Sequence, residues 1–209
     1  MRVVERANHE ALLTFRWHLG CSGGPLEAHC ARVGTLAVNL GRECGVSKPD
    51  LSSLEWAGHL HDLGKRAVPS AILDKEGPLD ESDWTEIKIH PVVGYQLLVD
   101  ASPELHGIAV AVRAHHERWD GLGYPDGLSG DAIPYFGRIV AIADVYDALT
   151  TYRCYRERSY SHAEAIDLIV SGAGTHFDPT LVDVLLQMNR RWLVQPGEIL
   201  KSFANTYSS

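Results

Sequence analysis

Thiols are scarce in this chain and poorly spaced for chemistry. Its four cysteines, Cys21, Cys30, Cys44 and Cys154, are scattered, and no two form a CxxC pair. That removes thiolate metal sites and a disulfide framework, leaving reduced, mostly buried thiols. Long apolar runs are missing as well: no stretch approaches the length of a membrane-spanning helix, and no signal peptide is read at the start. The expected setting is cytoplasmic. Positive charge is in deficit, with 19 Lys and Arg against 27 Asp and Glu and a net charge of −8. A long nucleic-acid polymer, which normally demands a basic surface, is therefore not the expected partner. A small phosphorylated ligand stays open, because metal ions and a few cationic side chains can dominate a local field. Strand-period alternation, internal repeats, low-complexity stretches and interdomain linkers are also absent. What remains, at 209 residues, 45% hydrophobic and 22% charged, is the composition of one all-α globular domain with room for a core.

The periodicity is helical nearly throughout. A first helix is expected over 3–19, with Leu12, Phe15 and Leu19 near one face, ended by the segment 21–25. The next spans about 26–44, where Val33, Leu36, Ala37 and Leu40 form an inward stripe. Further helices are expected at 51–63, 81–89, 91–100, 104–118, 134–151, 161–171 and 179–190. The segments 66–80 and 119–133 read as loops, the second punctuated by Gly121, Gly123, Gly127, Gly130 and Pro125. This divides the chain into an N-terminal helix and turn (1–25), the main domain (26–190) and a C-terminal tail (191–209).

The informative residues are imidazoles and carboxylates. The run His59-Leu60-His61-Asp62-Leu63-Gly64-Lys65 holds a vicinal histidine–carboxylate pair, and His90-Pro91, His115-His116-Glu117 and Ala143-Asp144-Val145 follow. Together they make the inventory of a metal centre with more than one ion, and nitrogen and oxygen donors without thiolates suit Mn, Fe, Ni or Zn. They also extend the apolar stripes. His29 lies four before Val33; Leu54, Gly58, His61 and Lys65 share a face; Leu105, Ile108 and Val112 lead to His115 and His116. Asp144 falls within an apolar helix, where an ionised carboxylate must be paired, hydrogen-bonded or metal-bound. Two ions about 3.5–4 Å apart can share a hydroxide and lower its pKa, so phosphodiester hydrolysis is the leading reading. Singly, each residue has a plainer explanation. His29 would be a core histidine, Asp144 a partner of Arg138, and His115-His116 a helix end complementing the macrodipole. His90 would be an extended residue before a helix start. Only the combination outweighs these.

Further motifs stand in order with them: His29-Cys-Ala-Arg32-Val33, Ile72-Leu-Asp-Lys75, His90-Pro91-Val-Val-Gly94, His115-His116-Glu117-Arg-Trp-Asp120-Gly121-Leu-Gly123-Tyr124-Pro125, Ile133-Pro134, Arg138-Ile139, Asp144-Val-Tyr-Asp147-Ala148-Leu149 and Gly174-Thr-His-Phe177-Asp178-Pro179. The series resembles the HD-GYP family, a subgroup of the HD superfamily of metal-dependent phosphohydrolases, over about residues 26–186. The resemblance implies an all-α, HD-type helical bundle with a Gly-Tyr-Pro loop, a cytoplasmic bacterial setting and hydrolysis of cyclic di-GMP. The product would be linear pGpG, with GMP as a further step. Carried over by motif position, the metal ligands would be His29, His61, Asp62, His90, His115, His116 and Asp144, with Asp62 bridging two divalent ions. Iron or manganese stands ahead of zinc or nickel.

Lys65 is expected to reach the phosphate and neutralise developing charge, which makes Asp62 and Lys65 the expected catalytic residues. Arg153 and Arg156 match basic positions that resemble the family's phosphate contacts, and arginine offers bidentate geometry there. In the Gly-Tyr-Pro loop, Tyr124 offers a stacking face and a hydroxyl, held extended by Pro125. The expected substrate contacts are thus Lys65, Tyr124, Arg153 and Arg156. Asp147 is read as support for the site and His59 as structural. One position departs from the family: the glutamate that holds a third ion in some members is Pro25 here. Glu27 is no substitute, lying about 200° round a helix from His29, so two ions are expected. Two rivals remain: a hydrolase of another cyclic dinucleotide or nucleotide, and a non-catalytic cyclic-dinucleotide sensor or partner-binding module. A regulatory protein or attached sensory domain, and a homodimer formed through the first helix, complete the partners considered.

Overall fold

Proline at a first helical position removes no hydrogen bond the helix could have made, and in the computed structural model Pro25 opens the first of the described helices in this way. The structure describes residues 24–151 and 158–194, with side chains up to Arg190. The helix expected over 3–19 and both Arg153 and Arg156 lie outside the described residues. Nine helices are described: α1 (Pro25–Glu43), α2 (Lys48–Leu60), α3 (Ser70–Leu73), α4 (Glu81–Ile87), α5 (His90–Ala101), α6 (His106–Ala114), α7 (Tyr135–Thr150), α8 (His162–Ser171) and α9 (Pro179–Val194). Short 3-10 turns occupy Leu63–Ala67, Pro103–Leu105 and Gly130–Ala132. Among the described residues there is no strand beyond one bridge between Ala173 and Phe177, and no helix is long and apolar enough to cross a membrane. The fold is all-α, as expected.

The stripes read from the sequence face the core. Val33, Ala37 and Leu40 of α1, Leu54 and Leu60 of α2, Ile108 and Val112 of α6 and Ile139 and Ile142 of α7 are all buried in one cluster. Leu36 is half-buried against it. The central layer is α1 with α2 and α7, and α6 packs on both α2 and α7. Where α1 crosses α2, glycines meet. A Cβ on Gly58 would sit 2.6 Å from the Cα of Gly34, so only glycine permits this approach. The crossing matters for function because Gly34 is five residues past His29 and Gly58 three before His61. It brings those two rings to 5.2 Å.

Several boundaries differ from the expected ones, each for a local reason. The helix expected over 51–63 lies three residues earlier, at Lys48–Leu60. Ser47 caps it by accepting from the Asp50 N–H, and Pro49 sits harmlessly in its first turn. At its other end it stops at Leu60, before His61, and a 3-10 turn follows that Asp62 caps and Lys65 occupies. In that geometry residues three apart eclipse, and Lys65 and Asp62 meet directly. The helix expected over 104–118 is broken into Pro103–Leu105 and α6, which stops at Ala114, so His115, His116 and Glu117 leave the helix. His90 is not extended: it is the first residue of α5, preceded by Ile89 at φ −77°, ψ −19°. The expected loop 66–80 contains α3, and its end is tied down by Asp80, which caps α4 reciprocally with Asp83. Lys75 pairs with both carboxylates. The last helix runs on to Val194 instead of ending at 190.

Candidate metal centre

Five elements deliver their polar residues to one place. His29 comes from the N-terminal part of α1, and His61 and Asp62 follow the last residue of α2. His90 starts α5, His115 and His116 follow α6, and Asp144 sits midway along α7. Helix ends dominate because a side chain just beyond a helix can turn inward without displacing core packing. His61 and His90 are wholly buried, and Asp62 is 1% exposed.

Asp62 is the hub. Its Oδ2 lies 3.4 Å from His61 Nε2 and 3.9 Å from His29 Nε2, whereas its Oδ1 lies 3.5 Å from His90 Nε2. The two carboxylate oxygens thus face two different groups of histidines. On the first side Asp144 Oδ1 is 3.1 Å from His29 Nε2 and 3.7 Å from His61 Nε2. On the second, His90, His115 and His116 bring one ring nitrogen each within 4.8 Å of one another, and the groups His29–His61–Asp62 and His61–His115–Asp144 satisfy the same limit. All seven residues expected at the site are therefore together.

The rings are aimed. Nδ1 of His61, His90 and His115 donates to the carbonyl of the residue three earlier, Gly58, Ile87 and Val112, at 2.8, 2.7 and 2.6 Å. His29 Nδ1 is 2.7 Å from Asp147 Oδ2. A donor bond at Nδ1 leaves the Nε2 lone pair facing inward, the arrangement that suits a metal-binding imidazole. His61 Nε2 is buried and makes no hydrogen bond, a costly state for a polar atom unless a cation occupies the space before it. The donor set, five imidazoles and two carboxylates without sulfur, fits divalent first-row ions.

The charges divide across Asp62. Burial resists protonation of His29, but hydrogen bonds to Asp144 and Asp147 outweigh it and push the imidazole up to about 9. His61 is likewise raised: burial opposes its charge, and the Asp62 carboxylate prevails. Burial would raise Asp62, yet the charges of His61 and Lys65 hold it well below the usual carboxylate range. On the other side burial dominates. His115 is depressed well below normal, with His116, His61 and His90 as neighbours, and His116 falls to about 3.

Two supporting residues had partial signals in the sequence. Asp147, one turn past Asp144, accepts from His29 and from Arg32, whose Nε and Nη2 lie at 2.5 and 3.0 Å. Arg32 carried no assigned role, although its i+3 spacing from His29 places both on one face. Asp147→Ala would leave both partners exposed to loss of a buried acceptor. We expect a cost of about 2 kcal/mol, read as a lowered urea midpoint; an unchanged midpoint would mean that water replaces the carboxylate. Glu117, part of the His115-His116-Glu117 run, has no role assigned by the sequence. It is 4% exposed and accepts the backbone N–H groups of Asp126 and Leu128, at 2.7 and 3.0 Å. A charged residue directly after a histidine pair and before a glycine-rich loop was the available signal.

The remaining expected residues fall as follows. Lys65 Nζ is 2.7 Å from Asp62 Oδ2, so its first contact is with the carboxylate. Arg138 pairs with Asp131 and Asp178, not with Asp144, which removes the plainer reading of Asp144. His59 lies beside Glu55 and Trp56, outside the cluster. Tyr124 stacks on His116, centroids 4.8 Å apart, and its bond to Pro125 is cis rather than simply extended.

The chain resembles several known proteins. A family model described as an HD domain matches residues 22–181. The chain is similar to the cyclic di-GMP phosphodiesterase response regulator RpfG of Xanthomonas campestris, 39% identical over 189 residues, covering 90% of this chain and 50% of the relative. It is also similar to the 3'3'-cGAMP-specific phosphodiesterase 2 of Vibrio cholerae, 38% identical, covering 77% of this chain and 31% of the relative. Among solved structures, Bd1817, an HDG"Y"P protein from Bdellovibrio bacteriovorus, superposes with a TM-score of 0.61 at 25% identity, over 77% of this chain and 52% of that one. The chain spans half or less of the length of these two curated relatives.

Proposed function

The chain belongs to the HD domain family and to its HD-GYP group, and on that premise we propose that it hydrolyses a phosphodiester bond of a cyclic dinucleotide, cyclic di-GMP first. The observation that carries this is the placement of Asp62, with one carboxylate oxygen toward His29 and His61 and the other toward His90. We assign two divalent ions, iron or manganese before zinc or nickel. One would be held by His29, His61, Asp144 and Asp62, the other by His90, His115, His116 and Asp62. When bound, such a pair supplies Lewis acidity toward phosphate oxygens and a water of lowered pKa.

The chain's own residues do the rest. Asp62 joins the two halves, and Asp147 and the three backbone carbonyls keep the imidazoles aimed. Lys65 is kept charged beside them: burial opposes its proton, but Asp62 and Asp144 hold it on. That places a cation at the edge of the centre, where a phosphate would bring negative charge. Arg153 and Arg156 remain the proposed phosphate contacts beyond α7. Several relatives are named as 3'3'-cGAMP-specific phosphodiesterases, so hydrolysis of that mixed dinucleotide is the second reading. Mass spectrometry of products from cyclic di-GMP and from 3'3'-cGAMP, with a His61→Ala control, decides between them. It also shows whether the reaction stops at pGpG or proceeds to GMP. Product from neither would overturn the reading.

Metal uptake should carry a pH signature. His29 must lose its proton to ligate, and in the metal-free chain that proton is held up to about pH 9. Binding near pH 7.5 should therefore release about one proton or more, and apparent affinity should rise with pH towards 9. The sign for stability is opposite. A raised folded pKa stabilises the metal-free chain fully below 6.5, and that contribution is lost as pH rises through about 9. Calorimetric titration in buffers of different ionisation heat reads the released protons; none released would contradict the role of His29.

A further inference from the structure

His116 is held differently from the other four inward histidines. Each of those has a hydrogen-bond partner at Nδ1: Asp147 for His29, and the carbonyls of Gly58, Ile87 and Val112 for His61, His90 and His115. Among the described residues the ring of His116 has no such bond. It is fixed instead by packing. Tyr124 stacks on it with centroids 4.8 Å apart and planes at 26°, His115 lies 4.0 Å away tilted by 42°, and His90 meets it edge-on at 5.0 Å.

The stacking ring is itself anchored to the segment that carries His116. The Tyr124 N–H donates to the His116 carbonyl at 3.1 Å. Glu117 grips the far side of the loop through the N–H groups of Asp126 and Leu128. Gly123 lies so close that a Cβ would meet the Cα of Glu117 at 2.6 Å. Lys88 Nζ adds a cation 5.6 Å from the Tyr124 centroid. The loop thus folds back as a brace, and the braced object is one imidazole.

We propose that Tyr124 is a positioning residue, whose stacked ring sets the plane of His116 and so the aim of its nitrogen toward an ion shared with His90 and His115. This rests on reading His116 as a ligand. It also changes the role expected of Tyr124, since the face against His116 is closed to a substrate base. Hydrogen-bonded partners behind a ligating histidine fix its orientation, and their loss typically weakens metal affinity about 10–100-fold; here the stacked ring takes that place.

The test is Mn²⁺ affinity, by competition with a chromogenic chelator, measured beside KM for cyclic di-GMP. The proteins are wild type, Tyr124→Phe, Tyr124→Leu and His116→Ala. The expected result is that His116→Ala loses one ion per chain. Tyr124→Leu should keep two sites but weaken one by about tenfold or more, while Tyr124→Phe, which retains the ring, stays within about twofold of wild type. Where leucine disturbs the fold, as judged by circular dichroism, Tyr124→Met replaces it. Unchanged metal affinity in the leucine or methionine variant with a raised KM would overturn the positioning role and return Tyr124 to the substrate, with His116 still a ligand. Equal weakening in Tyr124→Phe would also overturn it, because the hydroxyl would then be responsible. Two ions retained by His116→Ala would instead overturn the ligand reading itself.

Discussion

Asp62→Asn is expected to abolish hydrolysis, lowering kcat/KM by at least about a thousandfold, or ~4 kcal/mol of transition-state stabilisation, and to cut bound metal from two ions towards one or none. Asparagine matches aspartate in shape, so the fold should survive. What it lacks is the charge that faces His61, His29 and His90 and that pairs with Lys65 at 2.7 Å. An amide cannot bridge two cations with both of its polar atoms, because its nitrogen carries no free lone pair for the purpose. The substitution also leaves Lys65 and the raised His61 without their main counter-charge. Steady-state kinetics with metal analysis on the same preparation reads the effect. Wild-type turnover with two ions bound would show that Asp62 is not the hub.

Gly64→Ala is expected to destabilise the chain by about 3 kcal/mol and to disturb the centre, although residue 64 carries no functional group. A Cβ there would overlap the carbonyl oxygen of His90 and approach the Gly94 backbone N at 2.7 Å. Both obstacles are backbone, so neither can rotate away. The 3-10 turn bearing Asp62 and Lys65 must then lift from α5, which moves Asp62 away from His90. Gly107→Ala is the matched control. Nothing lies within 4 Å of a Cβ at Gly107, and alanine in α6 should be neutral or stabilising by up to about 1 kcal/mol. Thermal melting of both variants separates the two cases. A Gly64→Ala protein that melts with wild type would mean the close approach of turn and helix is not needed.

The helical class and the inward stripes were legible because they rest on local periodicity. Val33, Ala37, Leu40, Ile108 and Val112 repeat at the helical interval, and burial follows that repeat. The ligand candidates were legible because they lie on those stripes or at their ends. What the sequence could not disclose is how the ends are trimmed. Ser47 and Pro49 together start α2 early, and its end at Leu60 leaves His61 and Asp62 in a turn. His90, read as extended because it precedes proline, is instead held in the first turn of α5 with its Nδ1 on the Ile87 carbonyl. That bond spans three residues, and the helical start prevails over the extended preference of a residue before proline. Nor could spacing foretell the contacts between distant segments. Gly34 against Gly58, and Arg32 with His29 on Asp147, are meetings across many residues, and no local pattern encodes them. Glu117 escaped for the same reason, since its partners are backbone N–H groups that any residue could supply.

The central requirement is that hydrolysis needs two ions held on either side of Asp62. The most direct measurement is to strip the protein with chelator, return Mn²⁺ or anaerobic Fe²⁺ in steps, and follow bound ions per chain together with linear product from cyclic di-GMP. The predicted result is no product without metal, little at one ion per chain, and full turnover only as the second equivalent binds. Full turnover at one ion per chain, or in the presence of excess chelator, would contradict it.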